Sequence, residues 1–274
     1  LGLAFRTLRF DRFVSINNWL FTTAPTTEPT ARELAALQQT LRREFPTHAL
    51  VYRGVDPANA QLASALEACG FVRLIHRPVF EWRFDDYRQR KLSRNQRRNV
   101  RSDLALTERG PYRSARASRL TAEQADAVAR FYERLYIEKH SSYNAHFTAD
   151  YFSILVNTGA GNLDWLIDGS ETVGFVTTYA DRNRLVAALV GYEQTRKAAY
   201  RALVAICQRH ALEQQCPLFL STGVAAFKRA RGAVETIEYE AFDVTHLPLS
   251  RRLPWVTMKK FLDEAIAHMD TGSM

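Results

Sequence analysis

The chain has 274 residues, of which 46% are hydrophobic and 24% charged, a balance typical of a globular protein. No stretch of about 18 apolar residues is present, which argues against a membrane-spanning helix. The net charge of +8 has a local origin, because residues 88–101 contain seven basic residues and no acidic one. Without those seven, thirty basic residues face twenty-nine acidic ones. This local excess predicts a polyanionic or phosphate-bearing partner.

Three widely spaced cysteines, Cys69, Cys207 and Cys216, do not form a disulfide framework or a zinc motif. Cys69 and Cys207 lie in apolar helical patterns and are predicted to be buried thiols. Free thiols fit a reducing compartment, so the expected location is the cytoplasm.

The first half of the chain begins with a helix and strand pattern. Thr30 and Glu33 have the spacing of a capping box, which predicts a helix start. A strand is predicted over residues 48–53. A second helix is predicted to begin at Asp56 as its N-cap and to end at Gly70, the residue type that favours the C′ position. Residues 71–84 are rich in Val, Ile, Phe and Trp and predict another strand.

A basic helix is predicted next, over about residues 88–105. Its arginines at 90, 94, 97 and 101 have the i, i+4, i+7 and i+11 spacing of one helical face, with Arg98 at the border. The functional interpretation is that this face contacts phosphate groups. The alternative is a solvated helix whose arginines pair with nearby acids such as Asp103 and Glu108. Aromatic residues are not interleaved with the arginines, so base stacking is not indicated.

The second half has a similar pattern. Thr121 and Gln124 predict a further helix start. Turn residues then separate the segments that follow, which are predicted as strands at 164–168, 173–181 and 184–193, a helix at 200–215, a strand at 217–222, a short helix at 224–231 that ends at Gly232, and a strand at 236–242.

The junction at residues 193–199 has the strongest functional signal. A strand that leads directly into a helix presents unpaired backbone N–H groups and the positive end of the helix dipole, which together favour an anion. The order of elements resembles the acyl-donor site of the GNAT acyltransferase superfamily, whose signature is Gln/Arg-x-x-Gly-x-Gly/Ala. Gln194 and Ala199 match that signature, whereas Lys197 stands in place of the first Gly. With Arg196 beside it, Lys197 still predicts an anion site.

Three passages resemble the FemAB-like branch of that superfamily, in which many members take the acyl group from aminoacyl-tRNA. They are the arginine-rich stretch 91–101, the segment 135–148, and Phe227-Lys228 followed by Gly232. The resemblance implies an α/β fold with two GNAT-like lobes in tandem and mixed central sheets flanked by helices. The N-terminal lobe, with the basic connecting helix, would occupy residues 1–112, and the catalytic lobe would occupy residues 113–274.

The resemblance also implies roles for two neighbouring residues. Acyl transfer passes through a tetrahedral intermediate with an oxyanion, which a positioned cation stabilises. A Phe-Lys pair has this function in the FemAB-like family, and Phe227 and Lys228 match it. The alternative is a surface lysine on a short helix.

The segment from Glu138 to Phe147 is predicted to be a loop that contacts substrate. Within it, Glu138 or His140 is a candidate to accept a proton from the attacking amine, with Lys139, Tyr143 and Asn144 as further substrate contacts. Plain surface polarity is the alternative, and no metal site is expected from the spacing.

Tyr192 and Glu193 end the strand before the junction. GNAT enzymes draw catalytic groups from this region, which makes Glu193 a candidate general base and Tyr192 an acid or a positioning group. Alternatively, Glu193 interacts with the start of the following helix, where negative charge is favourable.

The sequence therefore predicts an acyltransferase that forms an amide on an amine of a small molecule or cell-envelope precursor. Phosphates of the donor or acceptor would contact Arg94, Arg97, Arg98, Arg101, Gln194, Arg196 and Lys197. Two co-substrates compete as donor, aminoacyl-tRNA and acyl-CoA, and no tightly bound cofactor is expected. A non-catalytic nucleic-acid-binding protein on the same fold is a third interpretation. The oligomeric state stays open.

Overall fold

The structure is a computed structural model that describes residues 9–17, 21, 23–56 and 58–271, with side chains described up to residue 264. In chain order, its elements are β1 (Phe13–Ile16), α1 (Ala31–Glu44), β2 (Ala49–Val55), α2 (Ala60–Ala68), β3 (Val72–Trp82), α3 (Phe84–Arg88), α4 (Arg94–Glu108), β4 (Tyr112–Ala117), α5 (Ala122–Tyr132), a π-helix (Glu133–His140), α6 (Ala149–Asn157), β5 (Asn162–Asp168), β6 (Glu171–Asp181), β7 (Arg184–Tyr192), α7 (Ala199–Gln214), β8 (Leu218–Phe219), α8 (Ala225–Arg229), β9 (Val234–Asp243) and α9 (Leu249–Thr271).

The chain forms two compact units, the first from Leu1–Pro78 with Thr236–Met274 and the second from Val79–Glu235. These units do not coincide with the lobes predicted at 1–112 and 113–274. The predicted boundary falls inside the second unit, because α4 packs along α7 and β4 pairs with β5.

The first unit has the strand order β1-β2-β9-β3, in which β1 and β2 are parallel and β2 and β9 antiparallel. Neighbouring residues of a strand point to opposite faces, so Leu50 packs with α1 and α2 while Val51 packs with Trp255 of α9. Asp243, which is buried at the end of β9, forms an ion pair of 2.8 Å with Arg42 of α1. A mixed sheet with helices on both faces results.

The second unit has the strand order β3-β8-β7-β6-β5-β4. The pairs from β4 to β7 are antiparallel, and β7 and β8 are parallel, with α7 between them in the chain. Helices α4 and α7 cover one face of this sheet, whereas α5 and α6 cover the other. Phe175 and Val176 of β6 show the alternation, since the first packs against α5 and α6 and the second against α7. The predicted α/β class with mixed sheets flanked by helices is confirmed.

Local sequence signals explain most helix boundaries. Both predicted capping boxes are present, as Thr30 accepts from the backbone N–H of Glu33 and Thr121 from that of Gln124. Gly70 ends α2 with a φ of +78°, the left-handed backbone that glycine adopts without strain.

Two predicted starts are corrected by the structure. Helix α2 begins after Asn59, whose side chain accepts from the N–H of Leu62, while Asp56 forms the preceding turn through the N–H of Ala58; Pro57 lies outside the described residues. The basic helix α4 begins at Arg94, because Ser93 and Gln96 form a third capping box there. Arg90 therefore lies outside the helix, with a φ of +58°.

The predicted strand at 217–222 is also shorter than expected. Only Leu218 and Phe219 pair as β8, and residues 220–224 form a turn in which Ser221, Gly223 and Val224 have positive φ angles. This turn lies beside the candidate site.

Candidate active site

The junction between β7 and α7 has the backbone that an anion site requires. Ala198 has a φ of +63°, and α7 begins at the next residue. Among the residues that the structure describes, the backbone N–H groups of Lys197, Ala198, Tyr200 and Arg201 donate to no protein acceptor. Unpaired N–H groups at the start of a 16-residue helix attract negative charge. The side chains of Gln194 and Lys197 are exposed at this junction.

Arg196 has a different environment from the one predicted. Its guanidinium contacts three carboxylates, those of Asp168 at 3.2 Å, Glu193 at 3.2 Å, and Glu171. The hydrogen bond to Glu193 is the largest cause that raises the pKa of Arg196. Arg196 is therefore engaged by acids and not directed at a phosphate, which corrects that part of the predicted donor site. Glu193, the candidate base, is held in the same ion-pair cluster.

Strands β7 and β8 separate beside this junction. They pair at Leu185–Leu218 and Val186–Phe219, and β7 then continues to Tyr192 while the other chain enters the turn at 220–224. Two parallel strands that pair only at one end leave a cleft between their carboxyl ends, the position where open α/β sheets bind ligands.

A line of aromatic rings extends from the end of β7. The ring centroids of Tyr192 and Tyr200 are 6.0 Å apart, and those of Tyr200 and Phe227 are 5.0 Å apart. Burial raises the pKa of both phenols, and it raises the pKa of nearby Tyr136 to about 12. These phenols stay protonated at neutral pH, so they can donate protons or hydrogen bonds. The structure thus brings together Tyr192 and Phe227, two residues predicted to contact substrate.

Lys228 is buried and does not lie on the surface. Its Nζ donates to the backbone carbonyl oxygens of Leu220 at 2.7 Å, Ser221 at 3.1 Å and Thr222 at 2.6 Å, and it lies 5.3 Å from the ring centroid of Phe80. An ammonium group has three N–H donors. All three are directed at the turn, so the predicted contact with an oxyanion has no donor left in this structure.

A buried ion-pair network lies behind the aromatic line. The carboxylate of Asp103 in α4 is fully buried and accepts from Arg201 of α7 at 2.7 Å and from Arg231. The guanidinium carbon of Arg231 lies 3.4 Å from the ring centroid of Phe227. Asp103 therefore connects the basic helix to the start of α7 and to Phe227, which holds these elements in one arrangement.

The exposed side of α4 forms an arginine stripe, which we define as Arg94, Arg98, Arg101 and Arg109. These side chains line an open groove of about 910 Å³. In the described part of the chain, none of the four has an ion pair with an acid, and Asp103 lies on the opposite, buried side of the helix. The acidic pairing considered from the sequence is thus absent from this face.

Arg97 belongs to the same predicted phosphate set but has another contact. Its guanidinium donates to the backbone carbonyl oxygens of Arg90 at 2.9 Å and Leu92 at 2.6 Å. It holds the segment before α4 and keeps its charge beside the groove.

The segment predicted as a substrate-binding loop is partly helical. Glu138, Lys139 and His140 form the last turn of the π-helix and are exposed. Asn144 donates to the carbonyl oxygen of Tyr136 at 2.8 Å, and Tyr143 is 98% exposed. The polar groups of this segment close the π-helix locally, and the proposed proton acceptor Glu138 faces solvent.

The described residues contain no group of three or more His, Cys, Asp or Glu side chains that could hold a metal ion. Nor do they include a helix that is long and apolar enough to cross a membrane.

Three residues of this site were not found from the sequence: Tyr200, Asp103 and Arg231. Tyr200 follows the junction directly, so the helical period could have placed it beside Tyr192. Asp103 and Arg231 are 128 positions apart, and no local pattern joins them.

Comparison with known proteins agrees with this geometry. The sequence model described as the acetyltransferase (GNAT) domain matches residues 94–229, from the first residue of α4 to the last residue of α8. Residues 94–229 of the chain therefore form a GNAT-type acyltransferase domain. No curated protein sequence matches the chain with significant similarity.

Solved structures share the fold at low identity. The C-terminal domain of a putative lysylphosphatidylglycerol synthetase from Agrobacterium fabrum has a TM-score of 0.58 and 11% identity, over 77% of this chain and 73% of that one. L-PGS from Bacillus licheniformis has a TM-score of 0.59 and 14% identity, over 83% and 74%. FemX has a TM-score of 0.56 and 11% identity, over 80% and 78%. These similarities show that the chain shares its fold with these proteins. FemX, one of them, agrees with the predicted FemAB-like branch.

Proposed function

We propose that this protein transfers an aminoacyl group from an aminoacyl-tRNA to the amine of a small molecule or cell-envelope precursor and so forms an amide. The observation that carries the proposal is the arginine stripe on α4. The names of FemX and of the lysylphosphatidylglycerol synthetases agree with aminoacyl transfer in proteins of this fold.

The length of the arginine stripe favours a polymeric donor. From Arg94 to Glu108, the residue before Arg109, α4 rises about 21 Å at 1.5 Å per residue. A nucleic-acid strand offers one negative charge about every 3.4 Å of its axis and can therefore meet all four guanidinium groups. The adjacent phosphates of a single nucleotide can meet only one end of the stripe. Guanidinium groups without acidic partners gain most from such contacts, because no existing ion pair has to be broken.

The chemical step needs a nucleophile, an electrophile and a route for one proton. The acceptor amine attacks the ester carbonyl carbon of the aminoacyl group, and a C–N bond forms as the carbonyl oxygen becomes an oxyanion. The C–O bond to the ribose then breaks, the amine nitrogen loses a proton, and the ribose oxygen gains one. No covalent enzyme intermediate is required.

Residues at the end of β7 and the start of α7 supply groups for this step. The protonated phenols of Tyr192 and Tyr200 are the groups assigned to donate a proton or hydrogen bond to the leaving oxygen. The carboxylate of Glu193, beside Arg196, is the group assigned to accept the proton of the amine. Lys228 supports the turn at 220–224 through its three carbonyl contacts.

The test is a transfer assay with charged tRNA. Purified protein is incubated with a pool of radiolabelled aminoacyl-tRNAs and a mixture of amines, and the formation of base-stable amide is measured. Protein-dependent amide is expected, with loss of at least tenfold in rate when Arg94, Arg98 and Arg101 are all changed to Gln. A control with Arg32, Arg43 and Arg119 changed to Gln carries the same change in charge at other exposed positions and is expected to keep the rate. Equal rates in the two triple variants would contradict the assignment of the stripe.

An acyl-CoA donor is the second candidate, and one observation favours it. The unpaired N–H groups at Ala198 and the start of α7 form a compact anion site of the kind that binds a pyrophosphate. Calorimetric titration with acetyl-CoA tests this candidate. A dissociation constant in the micromolar range, about −8 kcal/mol, would favour CoA over tRNA as the donor. No heat up to millimolar concentrations would exclude acetyl-CoA.

A further inference from the structure

A second groove lies on the other side of the sheet from the arginine stripe. Its volume is about 490 Å³, within the range of roughly 300–1,000 Å³ that small-molecule sites occupy. One wall comes from α5 and the first turn of the π-helix and the floor from β5 and β6, and Glu193, which follows β7, also lines the groove. We call it the α5 groove. It is separate from the predicted substrate segment at 138–147, none of whose residues line it.

The wall of the α5 groove is positively charged. Arg130 and Arg134 both line it, one helical turn apart. Within the described residues, neither guanidinium has an ion pair or hydrogen bond, although Glu123 lines the same groove. Like charges at this spacing repel each other. An anionic group between the two guanidinium groups removes that repulsion. It also accepts their N–H hydrogen bonds, whose planar geometry suits a carboxylate or a phosphate.

The α5 groove also carries negative charge. Glu193 lines it, and the Arg196 cluster joins Glu193 to Asp168 and Glu171. Three carboxylates around one guanidinium leave a formal excess of two negative charges. A cationic group on the ligand is therefore favoured beside Glu193. The groove thus offers both positive and negative side chains, which are complementary to a molecule that carries both charges.

The lining of the α5 groove includes two aromatic side chains. Phe131 on the α5 wall is half-buried, and Trp165 on the floor is almost fully buried. The register of β5 and β6 shifts between Leu166 and Ile167 at this position, and such bulges re-aim side chains next to binding sites. The π-helix that begins at Glu133 adds a second irregularity of a kind frequent at functional sites. The floor offers apolar contact to the body of a ligand between its two charged ends.

We propose that the α5 groove binds the acceptor and that this acceptor is a zwitterion, an amine that also carries a carboxylate or phosphate. The anionic group contacts Arg130 and Arg134, and the amine lies toward Glu193, the residue assigned to accept its proton. The role as acceptor site rests on the proposed function, whereas the preference for a zwitterion rests on the groove alone.

A matched set of ligands tests the proposal without any acyl donor. Binding of L-phenylalanine, phenylalaninamide, phenethylamine and 3-phenylpropanoate is measured by ligand-observed NMR and calorimetry. Phenylalanine keeps both charges, whereas each of the others lacks one. The zwitterion is expected to bind at least tenfold more tightly than phenylalaninamide or 3-phenylpropanoate. 2-Aminoethyl phosphate is included to distinguish a phosphate from a carboxylate as the anionic group.

Variants locate the binding. With Arg130 and Arg134 both changed to Gln, the preference for phenylalanine over phenylalaninamide is expected to disappear. Arg119 and Arg182, both exposed, are changed to Gln as the matched control, and the preference is expected to remain. Circular dichroism and thermal unfolding establish that each variant is folded. Equal binding of the four aromatic ligands would overturn the proposal. So would the absence of binding by any of them up to about 10 mM, which corresponds to a binding free energy of roughly −3 kcal/mol.

The outcome separates this proposal from the proposed function. If the zwitterion binds selectively but no amide forms from aminoacyl-tRNA, the assignment of the groove is kept and aminoacyl-tRNA is rejected as the donor. Amide formed equally well on amines with and without an acidic group would keep the function and reject the zwitterion site.

Discussion

The ammonium group of Lys228 lies among three backbone carbonyl oxygens, and its side chain is 2% exposed. The turn that it holds contains three residues with positive φ, of which Ser221 and Val224 are not glycines. Such backbone costs about 1–3 kcal/mol per residue and persists only where the surroundings enforce it. Lys228 contributes three of the contacts that hold this turn, and the backbone of Phe80 contributes two more, to Leu220 and Ser221.

Changing Lys228 to Met is therefore expected to destabilise the protein by about 3 kcal/mol, because one buried and two partly buried carbonyl groups lose their charged donor. The urea midpoint measures this loss, and hydrogen exchange should increase at residues 220–224 first. Arg229 provides the control, since it is the neighbouring cation and is exposed. If Arg229→Gln had an equal effect, the carbonyl contacts would not be the cause.

Tyr136 gives a prediction for alkaline pH. Burial raises the pKa of its phenol to about 12, against about 10 in an unfolded chain. The unfolded state loses this proton first, so the stability that the phenol contributes is present below pH 10 and is lost as the pH rises through about 12. Between pH 10 and pH 12, the free energy of unfolding of the Tyr136→Phe variant should decrease by about 2 kcal/mol less than that of the wild type. Urea unfolding at pH 9 to 12 measures the difference, and parallel curves would contradict it.

Residue identity alone was a limited guide to the site. Arg196 and Lys228 were predicted as ligands of negative charge in the substrates. In the folded chain their donors are engaged by carboxylates in one case and by carbonyl groups in the other. The partners of a cation depend on which distant groups the fold brings to it. That Arg94, Arg98 and Arg101 contact phosphates stays a prediction, and no acid of the described residues forms an ion pair with them.

At the scale of elements, Gly232 closes the segment after α8. Its φ is +82°, and a Cβ atom there would overlap the side chain of Leu92. Gly70 has a similar φ of +78° with open space around it. A comparison of substitutions at Gly70 and Gly232 therefore distinguishes the cost of backbone strain from the cost of steric overlap.

Gly70→Ala is expected to cost about 1 kcal/mol from backbone strain alone. Gly232→Ala is expected to cost about 3 kcal/mol, because overlap in a packed region adds to the same strain. Denaturant unfolding of both variants measures the difference. Equal losses would show that Leu92 can move away without cost.

Helix starts were predictable where a few adjacent residues decide them. The capping boxes at Thr30 and Thr121 need only residues three positions apart. The π-helix from Glu133 to His140 was predicted as helix and then loop, because the wide turn depends on packing and not on propensity. The strand after α7 was too long in the prediction, since its apolar residues continue into a turn that Lys228 holds.

At the scale of the whole molecule, the arginine stripe predicts a strong salt dependence of RNA binding. Each phosphate contact contributes about −0.7 to −0.9 to the slope of log K against log salt. Changing Arg94, Arg98 and Arg101 to Gln should therefore make the slope less steep by about 2 to 3. Filter binding of tRNA between low and moderate salt measures it, with the Arg32, Arg43 and Arg119 triple variant as control. An unchanged slope would place the RNA elsewhere.

The sequence by itself determined the α/β class, the helix starts at capping boxes, the concentration of positive charge at 88–101, and the superfamily. These depend on short-range patterns and on residue order along the chain. Only the tertiary structure decided which charged groups pair and which stay available. Asp103 pairs with Arg201 and Arg231 from distant positions, and the arginine stripe on the other side of the same helix has no acidic partner among the residues that the structure describes. The physical reason is that an ion pair needs two side chains within a few ångströms, and the folded backbone alone sets those distances.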